Sequence, residues 1–134
     1  LHEWVTLQAE RRPEATALVL QEKRLSYCDI DQASNRLANA LRRAGCKPGD
    51  RVGLLLPKSI EAVLAIHGAL KAGCLYVPMD PDSPAERLAH IVNACRPRVI
   101  LACRATVKRL QELLSVVSVQ GPLVGYLEDH VPDD

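Results

Sequence analysis

Two stretches of the chain, Val52 to Leu56 and Val99 to Cys103, are apolar with no polar alternation. A strand with one wet face alternates polar and apolar residues. An unbroken short run is what a strand covered on both faces requires, as at the centre of a parallel sheet. Pro48-Gly49-Asp50 precedes the first run and Pro57 stops it; Arg96-Pro97 precedes the second. Parallel neighbours cannot be joined by a hairpin, so helices must cross between them. The pattern predicts an α/β fold: a three-layer, mostly parallel sheet flanked by helices.

The intervening segments supply those helices. Ser26 opens one, with Ser26-Tyr27-Cys28-Asp29 as a loose capping box. Ile30, Ala33, Leu37, Ala40, Leu41 and Ala44 follow at steps of three and four, and Gly45 stands where a left-handed cap belongs. Ser59 to Ala72 is the next helix, with Ile60, Val63, Leu64, Ile66 and Leu70 expected inward and Gly73 closing it. Leu75 to Val77 is expected to be a short buried strand. Ser83 is expected to be an N-cap with Pro84 at the first helical position and Glu86 completing the box. Leu88, Ile91, Val92 and Cys95 form that helix's stripe, and Val107, Leu110, Leu113, Leu114 and Val117 form the last. Leu123 to Leu127 reads as one more strand. At the other end, Leu1 to Arg12 has Leu1, Trp4, Val5 and Leu7 at helical spacing before Pro13. Ala17 to Leu20 and a strand beginning near Leu25 would pair as a hairpin around a charged turn, Glu22 to Arg24. The 134 residues are expected to form a single domain, with the acidic tail of residues 128–134 loose.

Composition narrows the function. Seventeen basic and sixteen acidic residues give a formal charge of +1, so no strong field points to nucleic acid or an anionic membrane. With no Phe, one Trp and three Tyr, the rings that single-stranded nucleic acid stacks on are scarce. Arg42 with Arg43, Arg96 with Arg98, and Arg104 with Lys108 and Arg109 read as solvated helix ends and faces. No apolar run reaches the roughly 18 residues of a membrane span. The five cysteines are odd in number and contain no C-x-x-C, so neither a disulfide framework nor zinc spacing is present. A reduced, cytoplasmic setting fits them. The chain opens with Leu1, so a trimmed start is expected.

Motifs that carry chemistry are few. Phosphate-binding loops need glycines that let backbone N–H groups approach oxygen. No two of the seven glycines are separated by one residue, and no glycine-rich stretch ends in Lys-Ser or Lys-Thr. G-x-S-x-G and H-E-x-x-H are missing too, the histidines being scattered at His2, His67, His90 and His130. His67 reads as a satisfied, partly buried side chain, and His90 as part of a polar helix face. Asp80 and Asp82 follow a parallel strand, where such sheets bind ligands, and could be metal ligands or a carboxylate pair. Between two prolines they read first as turn-formers that cap the following helix. Lys58, Glu61 and Lys71 read as solvated helix residues.

The wording itself carries more. "LKAGCLYVPMDP" (70–81) resembles a signature of adenylate-forming enzymes, L-K-A-G-x-A-Y-V-P-I-D, and "LSYCDI" (25–30) resembles their earlier L-[ST]-Y-x-E-L. "KPGDRVGLLLPKSIEAVLAIHGALKAG" and "SPAERLAHIVNACRPRVIL" (83–101) follow the family's intervening and succeeding runs, in order, across roughly residues 1 to 103. Asp29, Ile30, Leu75 and Met79 are mild departures. The segment from Ser83 to Leu88 is closer to the amino-acid adenylation domains of nonribosomal peptide synthetases than to acyl-CoA synthetases.

The resemblance implies the N-terminal subdomain of an enzyme that uses Mg-ATP to turn a carboxylate into an acyl adenylate. The acyl group then passes to a thiol, of CoA or of a carrier protein's phosphopantetheine. It also implies that the phosphate loop, ribose-binding acid and catalytic lysine lie after the matched segment. No catalytic, cofactor-binding or metal-binding residue can therefore be carried over to this chain, which is expected to be inactive alone. Tyr76 would hydrogen-bond through its hydroxyl or face the missing part, and apolar faces meant for that part would favour self-association. The alternatives are a non-catalytic docking module derived from the family, which sequence beyond Asp134 would distinguish, and a small flavodoxin-like nucleotide binder. The second needs a hydroxyl- or glycine-rich loop after the first strand, and none is present.

Overall fold

In the computed structural model, which describes residues 2–20, 23–117 and 122–127, helices and strands alternate as the periodicity requires. The order is α1 (His2–Arg11), β1 (Thr16–Leu20), β2 (Lys23–Ser26), α2 (Tyr27–Arg43), β3 (Arg51–Leu55), α3 (Ile60–Lys71), β4 (Leu75–Met79), α4 (Ala85–Cys95), β5 (Val99–Cys103), α5 (Val107–Val116) and β6 (Leu123–Leu127), with a 3-10 turn at Arg104–Thr106 before α5. Leu1, Glu22 and the acidic tail lie outside the described residues. β1 and β2 pair antiparallel as a hairpin, and Lys23 and Arg24 belong to β2 and not to a turn. The other strands form one parallel sheet in the order β4-β3-β5-β6.

The two unbroken apolar runs are the sheet's inner strands. Val52 and Leu54 of β3, with Leu56 just beyond it, and Val99, Leu101 and Cys103 of β5 face one layer, with Ala38 and Leu41 of α2 and Ala65 and Ala69 of α3. Leu55, Ile100 and Ala102 face the other, with Leu88, Ala89 and Val92 of α4 and Leu110 and Leu113 of α5. A third cluster, Val5, Leu25, Ile30, Ile60 and Leu64, fastens α1 and the hairpin to the starts of α2 and α3.

Some stripes are rotated from the sequence expectation. In α2 the buried residues are Ile30, Ser34, Ala38 and Leu41, while Ala33 and Leu37 are half-buried and Ala40 and Ala44 exposed. Ser34 can be buried because its hydroxyl donates to the Ile30 carbonyl at 2.6 Å, so no polar group is stranded. α3 buries Glu61, Ala65, His67, Gly68 and Ala69 beside Ile60 and Leu64, whereas Val63, Ile66 and Leu70 are only half-buried. It packs on the sheet with α2 alongside it and α1 also in contact, so most of its circumference is covered. In α1 it is Val5 and Gln8 that are buried; Trp4 is exposed, and Leu7 borders on exposure. Leu114 of α5 also faces outward. α4 starts one residue late: Pro84 is its N-cap, and the Ser83 side chain makes no capping bond. β4 is the widest departure. It is an edge strand, with Leu75, Tyr76 and Pro78 exposed and only Met79 buried.

α2 and α3 end alike, in Arg-Ala-Gly-Cys (43–46) and Lys-Ala-Gly-Cys (71–74). Gly45 and Gly73 take positive φ of 95° and 77°. The N–H groups of Cys46 and Cys74 then donate six residues' span back to the Leu41 and Ala69 carbonyls, at 3.0 and 2.9 Å. Both ends are thus closed by the left-handed double-bonded cap. Each cap turns its cysteine into the core, where both are buried and the Cys74 thiol faces the Lys47 carbonyl at 3.7 Å. Burial, and then the neighbouring Cys74, pushes the Cys46 thiol up to about 11; burial raises Cys74 as well. Arg42 completes the junction, donating to the Lys71 carbonyl at 2.6 Å.

Between the caps and the helix starts, α2 and α3 approach closely at Gly68. A Cβ there would lie 2.7 Å from Leu37 Cδ2 and 2.9 Å from Leu37 Cβ. Replacement Gly68→Val forces the two helices apart and is expected to cost ~2 kcal/mol or more, read as a lowered urea midpoint; adding Leu37→Ala should restore part of the loss.

Candidate functional site

The C-terminal ends of β3 and β4 border a cleft of ≈ 490 Å³. Its apolar floor comes from Leu54, Leu56, Ala62, Ile66, Pro78 and Met79, and Lys58, Asp80 and Asp82 stand on its lining. This is where an open parallel sheet presents a ligand site. Local chemistry explains the rim. Asp80 folds the loop after β4 into a turn: its Oδ1 accepts the Asp82 N–H at 2.9 Å, and its carbonyl accepts the Ser83 N–H at 3.0 Å. Arg109 of α5 holds the same loop by donating Nε–H to the Pro81 carbonyl at 3.1 Å, while Nη1 pairs with Glu112 at 2.8 Å. Asp80 therefore shapes the turn as expected but does not cap α4, and Arg109 is not simply a solvated cation.

The charge on this rim does not suit a polyphosphate. One ammonium, Lys58, stands against two carboxylates, which repel an anion. Among the described residues no group of three or more His, Cys, Asp or Glu could hold a metal ion. Asp80 and Asp82 do not form such a centre with any third ligand. The neighbouring Gly53 opens no approach for phosphate, because a Cβ there would meet Met79 Cε at 2.9 Å.

The remaining sequence candidates are dispersed. Lys71 and Glu61 are not solvated. Glu61 is buried. The Lys71 side chain is 9% exposed and donates to Asp31 Oδ1 at 2.7 Å, to the Asp31 carbonyl at 3.1 Å and to Asn35 at 2.8 Å. Thr6 of α1 donates to the same Asp31 oxygen at 3.2 Å, so one carboxylate ties three helices. Sequence periodicity gave no sign of this, because partner and donor lie forty positions apart. His90 is exposed, as is Tyr76, whose hydroxyl has no partner among the described residues.

His67 is buried, but its Nδ1 has no hydrogen-bond partner among the described residues, so it is not the satisfied side chain that its apolar setting suggested. Burial, and then the positive charge of Lys71, lowers its pKa below 6.5. The unfolded chain then binds a proton that the folded chain refuses. Stability due to this group is complete above pH ~6.5 and declines as pH falls through that value toward the folded-state pKa. The urea midpoint should fall between about pH 7 and 5.5, at a slope of at most ~1.4 kcal/mol per pH unit from this site, and His67→Leu should flatten that part of the profile. Lys71→Met, which leaves Asp31 without its cation, is expected to cost about 1–3 kcal/mol in the same measurement at pH 7.

Known proteins give the site its setting. A family model described as AMP-binding enzyme matches residues 5–132. Tyrocidine synthase 2 of Brevibacillus parabrevis is 41% identical over 101 residues, which are 75% of this chain and 3% of that protein. Tyrocidine synthase 1 of the same organism is 36% identical over 124 residues, 92% of this chain and 11% of that protein. Among solved structures, the nonribosomal peptide synthetase FmoA3 bound to α-methyl-L-serine-AMP superposes with a TM-score of 0.81 at 30% identity, over 93% of this chain and 14% of its own. A putative long-chain-fatty-acid CoA ligase of Rhodopseudomonas palustris shares the fold with a TM-score of 0.84 at 22% identity, over 98% of this chain and 33% of its own. The chain thus spans a small part of the peptide synthases it matches and a third of that ligase. Its α/β sheet, its signature residues 70–81 and the match over 5–132 make it a member of the AMP-binding enzyme family, corresponding to the N-terminal region of the adenylate-forming domain.

Proposed function

We propose that this chain is the structural N-terminal portion of an enzyme that activates an amino acid or another carboxylic acid with Mg-ATP, and that it has no such activity by itself. The parent would form an acyl adenylate and pyrophosphate, then pass the acyl group to a thiol of a carrier protein's phosphopantetheine or of CoA. Similarity to peptide synthases favours an amino acid and a carrier protein.

One observation carries the reading. The chain matches the family over nearly its whole length, yet its own cleft offers one cation against two carboxylates and no glycine-rich loop. Residues 1–134 then act as a single platform. The inner strands and the α2–α3 junction hold it rigid, while the groups that grip the triphosphate belong to the rest of the domain. Its working partners are that remainder and a carrier protein, in a cytoplasmic setting that keeps the five cysteines reduced. Neither nucleic acid nor a membrane surface is a partner, given the near-neutral charge; among the described residues no helix is long and apolar enough to cross a membrane.

Incubated with Mg-ATP, labelled pyrophosphate and pools of amino and short-chain carboxylic acids, the purified chain should exchange no label into ATP above the protein-free background. Exchange that depends on one acid and on the chain would overturn the proposal.

A further inference from the structure

Separate helices bring two thiols to one place inside the core. α2 and α3 are each followed by Ala-Gly-Cys, and both cysteines belong to the cluster that covers one face of the sheet. Cys46 is 5% exposed and Cys74 2%. The backbone on either side is tied together. The Gly49 N–H donates to the Gly73 carbonyl at 2.9 Å, and the Leu75 N–H to the Asp50 carbonyl at 2.8 Å. A Cβ on Gly73 would lie 3.3 Å from Pro48 Cβ. The sulfur of Cys74 sits 3.7 Å from the carbonyl oxygen of Lys47, the residue next to Cys46. Each thiol also feels the same surroundings: after burial itself, Cys74 and Asp50 raise Cys46, and Asp50 raises Cys74.

The other three cysteines stand elsewhere. Cys28 is at the start of α2 and Cys95 at the end of α4, both half-buried. Cys103 shares the core cluster but closes β5 at the far end of the sheet, where its sulfur accepts the Thr106 hydroxyl at 3.8 Å. Cys46 and Cys74 instead precede β3 and β4, which run side by side in parallel register from Arg51 and Leu75. A disulfide needs two such side chains on closely neighbouring backbone segments, and this junction supplies them wholly from the chain's own interior.

We propose that Cys46 and Cys74 form a dithiol that a peroxide converts to an intramolecular disulfide, tying the C-terminal end of α2 to that of α3. This goes beyond the functional reading and does not depend on it. One thiolate attacks an oxygen of hydrogen peroxide; the O–O bond breaks, leaving a sulfenic acid and hydroxide. The second thiolate attacks that sulfur; the S–O bond breaks and another hydroxide leaves. The two thiol protons turn both hydroxides into water, and the two electrons lost by the sulfurs are gained by the peroxide. Burial slows the first step, because thiolate and oxidant meet only when the junction opens locally. Closure then returns the partner sulfur and drives the second step.

Treatment of the folded chain with rising doses of hydrogen peroxide, then acid quenching and tryptic digestion without reductant, tests it. The expected product is peptide 44–51 joined to peptide 72–87, two hydrogens lighter than their sum and separated by dithiothreitol. The double variant Cys28→Ser, Cys95→Ser should give the same joined peptide. In that background the urea midpoint should rise by about 1 M on oxidation and fall back on reduction, and adding Cys46→Ala should remove the rise. Four results would each overturn the proposal. They are Cys28 and Cys95 fully oxidised while Cys46 and Cys74 stay unlinked, a link that forms as readily in the urea-unfolded chain, a link lost in the double variant, or a linked chain no more stable than the reduced one.

Discussion

Strand β3 sets the terms for the rest of the molecule. Val52 to Leu55 are shielded on both faces, so water cannot reach their peptide groups. An unpaired buried N–H or C=O costs as much as a lost hydrogen bond, and β3 avoids that cost only because β4 and β5 flank it in parallel register. Parallel partners in turn require crossovers, and the crossovers are the helices that seal the two faces. Desolvation of one five-residue strand thus dictates the sheet order, the layers and the position of the cleft at the strands' ends.

Much of this was legible in the chain. The unbroken runs named the inner strands, Ser26 and Asp29 formed the expected reciprocal cap, and Gly45 and Gly73 closed their helices. What stayed hidden was each element's place among its neighbours. Leu75 to Val77 is as apolar as Val52 to Leu55, yet one lies at the rim and the other at the centre. A strand's composition reports what could cover it, not what does. Pro78 was the available signal, since a proline inside a strand belongs to an edge. The helical stripes turned for a related reason. α3 is enclosed on most sides, so its small residues, Ala65, Gly68 and Ala69, mark the tightest contacts and the larger Val63 and Leu70 sit partly out.

The candidate site was less legible, because its members are assembled by tertiary contact. Asp80 as a turn-former follows from its neighbours in sequence. Arg109 reaching the Pro81 carbonyl, and Lys71 reaching Asp31, join residues on different helices and loops with no shared period. The family signature was legible for another reason. Residues 70–81 hold a helix end, its glycine cap, an edge strand and a rigid turn in immediate succession, and such a junction tolerates few alternative spellings. It marks membership through architecture.

The paired caps of α2 and α3 lead somewhere different. Cys46 and Cys74 meet inside the layer that covers β3, and both stay protonated at neutral pH. A maleimide or iodoacetamide can modify neither until a cap unwinds and admits solvent. The labelling rate of these two thiols, set against that of the half-buried Cys28 and Cys95, therefore clocks the opening of the helical layer in the native state and makes the core of this chain its own chemical sensor.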